Sequence, residues 1–152
     1  MTDASERRRI LDLLPQTRPF RFVDELLEID REHALCKYTF REDEFFYPGH
    51  FPGEPITPGV ILTETMAQAM ALHAMYLLSL DLSPPELEQH RALLTDAQVE
   101  FRKPVFPGQT VFARSVATAW RRKKLRSEVE LRDEADQLLA SGTLSGMGVP
   151  RA

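Results

Sequence analysis

His50 and Glu64 are the side chains in this sequence best placed to hand protons to a reacting molecule. His50 lies in "FYPGHFPGEPITPG", residues 46–59, where four prolines and three glycines crowd one short loop. Proline removes backbone freedom and glycine lets backbone or ligand approach closely, so such a loop holds its imidazole still. Glu64 follows inside the apolar run "VILTETMAQAMALHAMYLL". A carboxylate sent into that setting is expensive to ionise, and its pKa rises toward the range useful for acid–base work near neutrality. Between them, Gly59 opens a helix, and its N–H is one of the unpaired donors at the positive end of the helix dipole, suited to a developing oxyanion.

A base, an acid and an oxyanion donor within one short span favour proton abstraction beside a carbonyl. Acyl-enzyme chemistry is disfavoured, because no G-x-S-x-G is present and Cys36 has no histidine near it in sequence. On residues alone, two structural alternatives stay open. A lone loop histidine often serves only the loop, and Glu64 could pair with Gln68 one helical turn along.

The elements that must hold this span follow from the hydrophobic pattern. "MTDASERRRILDLLP" reads as a short amphipathic helix and lacks the small-residue cleavage pattern of a secretory signal. "FRFVDELLEID" and "HALCKYTF" read as a pair of strands. Thr57 is expected to cap a helix whose first residue is Pro58 and which runs to about Leu80. That helix is apolar on nearly every side and must be wrapped by other structure. Glu64, Gln68 and His73 break its apolar run, and Pro58 and Pro84 bracket it, which argues for a buried helix and against a membrane span. "DLSPPELEQHR" reads as a polar connection, and the remainder supplies about four antiparallel strands, with "RRKK" and "RDEADQ" in turns.

At 152 residues and 43% hydrophobic content the chain has the size of one domain, residues 1–152. The predicted class is α+β, one long helix inside one curled antiparallel sheet. A formal net charge of −4 offers no general attraction to nucleic acid. The single cysteine rules out an intramolecular disulfide and a Cys-rich metal cluster, and cytoplasm is the expected compartment.

The stretch "PGHFPGEPITPGVILTETMAQAM", with "LLPQTRPFRFVDELLEID" before it and "AQVEFRKPVFPGQTV" after it, resembles the 3-hydroxyacyl-[acyl-carrier-protein] dehydratases of the FabZ type. The resemblance implies a hotdog fold and the conversion of a 3-hydroxyacyl thioester to a trans-2-enoyl thioester, in fatty-acid synthesis or a specialised polyketide or polyene pathway. It further implies that His50 is the catalytic histidine, that Glu64 is an acid reached across a homodimer interface, and that the Gly59 amide binds the thioester carbonyl. No metal or redox cofactor is needed. In the related FabA type the acidic position is usually aspartate, so Glu64 favours simple dehydration.

The substrate would arrive on the phosphopantetheine arm of an acyl carrier protein, with Phe51, Met66, Gln68 and Met70 lining the acyl tunnel. Arg102 and Lys103 at a strand end, and Arg121, Arg122, Lys123 and Lys124 in a turn, are expected to meet the acidic carrier. The implied assembly is a homodimer, extensible to a trimer of dimers. Gln16, Thr17, Arg18, Arg21 and Tyr47 depart from the common family pattern and point to an altered substrate. A hotdog thioesterase and a non-catalytic partner subunit are the competing readings.

Overall fold

The computed structural model describes residues 2–151. Helix α1 (Ala4–Leu11) starts where the Asp3 carboxylate accepts the Glu6 N–H at 2.8 Å, an N-cap that satisfies one of the helix's free donors. Strands β1 (Glu25–Ile29) and β2 (His33–Thr39) form a hairpin, and the loop after β2 contains a single 3-10 turn, Tyr47–Gly49. The long helix α2 (Gly59–Asp81) follows, then a short α3 (Pro84–Glu88). Four strands complete the chain: β3 (His90–Phe101), β4 (Thr110–Arg121), β5 (Lys124–Asp133) and β6 (Leu138–Pro150). The six strands make one antiparallel sheet in the order β1-β2-β4-β5-β6-β3, which leaves β1 and β3 at the edges.

Helix α2 lies in the curl of this sheet. Every residue from Thr65 to Met75 is buried, as an all-round apolar helix requires. Small residues let helix and sheet come close: Ala67, Ala69, Ala71 and Ala74 on the helix, and Gly146 and Gly148 on β6, where a Cβ would meet Met70 and Leu78 at 2.9 and 2.7 Å. Alternate inward side chains of β5, Leu125, Val129 and Leu131, close the core from the sheet side.

Two details differ from the expectation. Thr57 does not cap α2 with its side chain, because its hydroxyl pairs with the Tyr47 hydroxyl at 2.7 Å; Pro58 occupies the cap and its carbonyl accepts the N–H groups of Ile61 and Leu62. The connection after α2 is not wholly irregular, since α3 forms there on a capping box between Ser83 and Glu86, and "HR" already belongs to β3. The turn between β4 and β5 is a two-residue hairpin with Arg122 and Lys123 at φ 52° and 63°. That conformation usually takes asparagine and glycine. Here the Lys123 carbonyl accepts the Gly148 N–H at 2.7 Å and its ammonium donates to the His90 ring at 3.0 Å, so neighbouring strands hold the turn.

Candidate active site

The loop that carries His50 is laced by its own backbone. The His50 N–H donates to the Tyr47 carbonyl at 3.2 Å, and the Ile56 N–H to the His50 carbonyl at 2.9 Å. Phe51 and Glu54 exchange a pair of bonds at 3.1 and 2.9 Å, with Gly53 supplying the positive φ of 75° that the reversal needs. Thr57 ties the far end of the loop to Val105 through its N–H at 2.8 Å. The ring is fixed as firmly as the chain: Nδ1 lies 2.9 Å from the Ile56 carbonyl, and the ring stacks on Phe51 at 4.1 Å. A carbonyl can only accept, so Nδ1 is the donor in this contact, and in the neutral imidazole the lone pair lies on Nε2.

His50 and Gly59 open on the same cleft, of about 340 Å³, whose walls include Phe51, Leu62 and Phe101, with Arg102 and Lys103 on the same lining. The Gly59 N–H stands in the first turn of α2, where no intrahelical acceptor exists. A Cβ at this position would come within 3.2 Å of the Phe101 ring, so glycine keeps the cleft open. His50, Phe51, Gly59, Arg102 and Lys103, singled out in the sequence, are thus brought together. Leu62 and Phe101 had not been singled out; Phe101 reaches the cleft only because β3 ends beside α2, a pairing that sequence spacing does not encode.

Glu64 sits elsewhere. It is half-buried at the margin of the core and takes no part in the wall of this cleft. Burial raises its pKa above the ordinary value, and a hydrogen bond from Gln68 acts in the opposite direction. Gln68 Nε2 donates to Glu64 Oε2 at 2.9 Å. Met66, Gln68 and Met70 lie in the core of the chain and away from the cleft, because the sheet closes over α2 from Thr65 onward. The second basic cluster also lies apart. Arg121 to Lys124 adjoin the His90 end of β3, and the cleft adjoins its Phe101 end, roughly 35 Å along the strand at the usual rise per residue.

Comparison with known proteins fits this geometry into a family. The FabA-like domain model matches residues 14–136. The chain belongs to the FabA-like family. Within this family, the 3-hydroxyacyl-[acyl-carrier-protein] dehydratase FabZ of Thermus thermophilus is 38% identical over 141 residues, covering 91% of this chain and 93% of that protein. The bifunctional enzyme LpxC/FabZ of Porphyromonas gingivalis is 39% identical over 103 residues, 68% of this chain, and the match spans only 21% of that longer protein. Among solved structures, the dehydratase heterocomplex ApeI:P of Xenorhabdus doucetiae superposes with a TM-score of 0.75 at 18% identity, covering 91% of this chain and 90% of that one. Thioesterase HI1161 of Haemophilus influenzae gives 0.66 at 14% identity, over 99% and 92%. The fold is the hotdog fold, which this dehydratase heterocomplex and this thioesterase share. Among the described residues, no helix is long and apolar enough to cross a membrane.

Proposed function

We propose that this chain, acting as a single hotdog domain in fatty-acid synthesis or a specialised pathway, dehydrates a 3-hydroxyacyl thioester borne on an acyl carrier protein, the activity for which its FabZ relatives are named. The observation that carries this reading is that His50, its Nδ1 held by the Ile56 carbonyl, lines one cleft with Gly59, whose N–H stands at the start of α2. Nε2 removes a proton from C2, and the thioester oxygen takes up the resulting charge against the Gly59 amide. The C2–C3 double bond forms as the C3–O bond breaks, and the departing oxygen takes a proton from Glu64 and leaves as water. A carboxyl whose pKa is raised by burial is suited to that donation.

Glu64 is absent from the cleft of its own chain, so the acid in each site is taken to come from a second copy. Strand β3 supports this. It is a twelve-residue edge strand with Leu93, Leu94 and Phe101 about half exposed, and such an edge is a ready template for pairing. A homodimer is then the smallest active unit, and a trimer of dimers would be built from it. Phe51, Leu62 and Phe101 would take the start of the acyl chain. Arg102 and Lys103 would receive the carrier at the cleft, and Arg121 to Lys124 would do so from the second copy, since antiparallel pairing of β3 brings opposite strand ends together. The lone buried Cys36 fits a reducing compartment such as the cytoplasm.

The test is subunit mixing. Purified His50→Ala and Glu64→Gln proteins are each expected to form no enoyl thioester from a 3-hydroxyacyl substrate, by absorbance and mass spectrometry. Unfolding and refolding them together should restore roughly a quarter of the parental rate, because half the random dimers carry one intact site of two. No recovery would overturn the shared site. Release of free thiol by the parental chain, without enoyl product, would overturn dehydration itself.

A further inference from the structure

We infer that Gln68 is a positioning residue for Glu64, through which the backbone of Phe20 and Phe22 fixes the orientation of the acid. This rests on the catalytic reading of Glu64 given above. Gln68 is completely buried, and every polar atom of its amide is used. Oε1 accepts the Phe22 N–H at 2.7 Å, while Nε2 donates to the Phe20 carbonyl at 2.9 Å and to Glu64 Oε2 at 2.9 Å. This set allows only one orientation of the amide. Turned over, it would aim an oxygen at a carbonyl and a carboxylate and lose the N–H of Phe22.

The side chain therefore spans two elements. One helical turn along α2 separates Gln68 from Glu64, and forty-six residues of sequence separate it from Phe22. Because Glu64 gives Oε2 to the amide, Oε1 is the oxygen left to meet substrate. Among the described residues no hydrogen bond to Oε1 is formed. Burial and this amide govern the proton affinity of Glu64, with burial the larger and opposite in sign. The one charged residue on the anchoring segment, Arg21, turns its guanidinium to the Leu11 carbonyl at 2.7 Å.

The arrangement makes a structural residue and a chemical one the same. A donated hydrogen bond favours the carboxylate, so Gln68 keeps the Glu64 pKa from rising as far as burial alone would drive it. It also holds the carboxyl plane, and a misplacement of about 1 Å at such a group can cost about 100-fold in rate.

The experiment compares parental protein, Gln68→Met and Gln68→Glu. Methionine fills similar volume without a donor; glutamate keeps an acceptor for the Phe22 N–H and replaces the donor by a second acid. The Glu64 carboxyl is titrated by NMR on glutamate-labelled protein, and kcat, KM and the pH–rate profile are measured on a 3-hydroxyacyl thioester, with thermal melts to establish folding. In whichever variants fold, the Glu64 titration and the pH limb it controls should move to higher pH. The kcat should fall about 10- to 100-fold, with KM nearly unchanged. An unmoved Glu64 titration in a folded variant would overturn the inference, as would a change in KM alone. If the parental chain forms no enoyl product, the functional reading fails, while the NMR titration still decides the role of Gln68.

Discussion

Glu64 carries a cost that its proposed chemistry explains. Its folded pKa is raised above the ordinary 4.5, so the folded chain favours the protonated form more than the unfolded chain does. Below the unfolded value both states are protonated and the carboxyl costs nothing. As pH rises through the folded value, ionisation falls more heavily on the folded state and stability declines. Glu64→Gln should therefore raise Tm by a few degrees at neutral pH, and the gain should vanish in acid near pH 4. Calorimetry across that range would check it, and an equal gain at every pH would assign the effect to packing. The pattern is that of a group kept for activity against the interest of stability.

At the scale of elements, the site depends on how closely β6, β3 and α2 can approach. A Cβ on Gly142 would lie 2.2 Å from the Gln98 carbonyl oxygen and 2.9 Å from the Val99 Cα, both backbone atoms that cannot step aside. Overpacking of this kind costs about 1–3 kcal/mol, so Gly142→Ala should lower Tm by roughly 2–12 °C for a chain of this length. A melt indistinguishable from the parental one would refute the tight contact.

The order of elements was legible in the sequence from simple signals: α2 from its long apolar run behind a proline, and the strands from short runs rich in branched and aromatic residues set between polar turns. The His50 loop and Gly59 were legible from their proline and glycine spacing. Helix α3 was not read, although Ser83 and Glu86 have capping-box spacing, because two prolines suggested a plain connection. Thr57 misled because its hydroxyl goes to Tyr47, ten residues away, and sequence carries no mark of that pairing. The side chain of Gln68 was expected at the tunnel, but its three partners lie on the segment before β1 and on α2 itself.

For the whole molecule, the two basic clusters become a question of docking. Reversing Arg102 and Lys103, or Arg121 to Lys124, should raise KM for carrier-borne substrate about 10-fold or more and leave KM for short soluble thioesters unchanged, since charge mainly speeds encounter with an acidic partner. Added salt should weaken the parental enzyme on carrier substrate in the same sense. Equal effects on both substrate forms would remove these clusters from docking. The two sets lie at opposite ends of β3, so an effect from both would itself argue that two copies build one receiving surface.

The proton on His50 Nδ1 is anchored to a main-chain oxygen, that of Ile56, a residue that also lines the cleft. Any residue at position 56 other than one that breaks the loop offers the same oxygen. The side chain at position 56 can therefore change while the imidazole keeps its Nδ1 anchor, so the shape of the cleft can vary without disturbing the histidine.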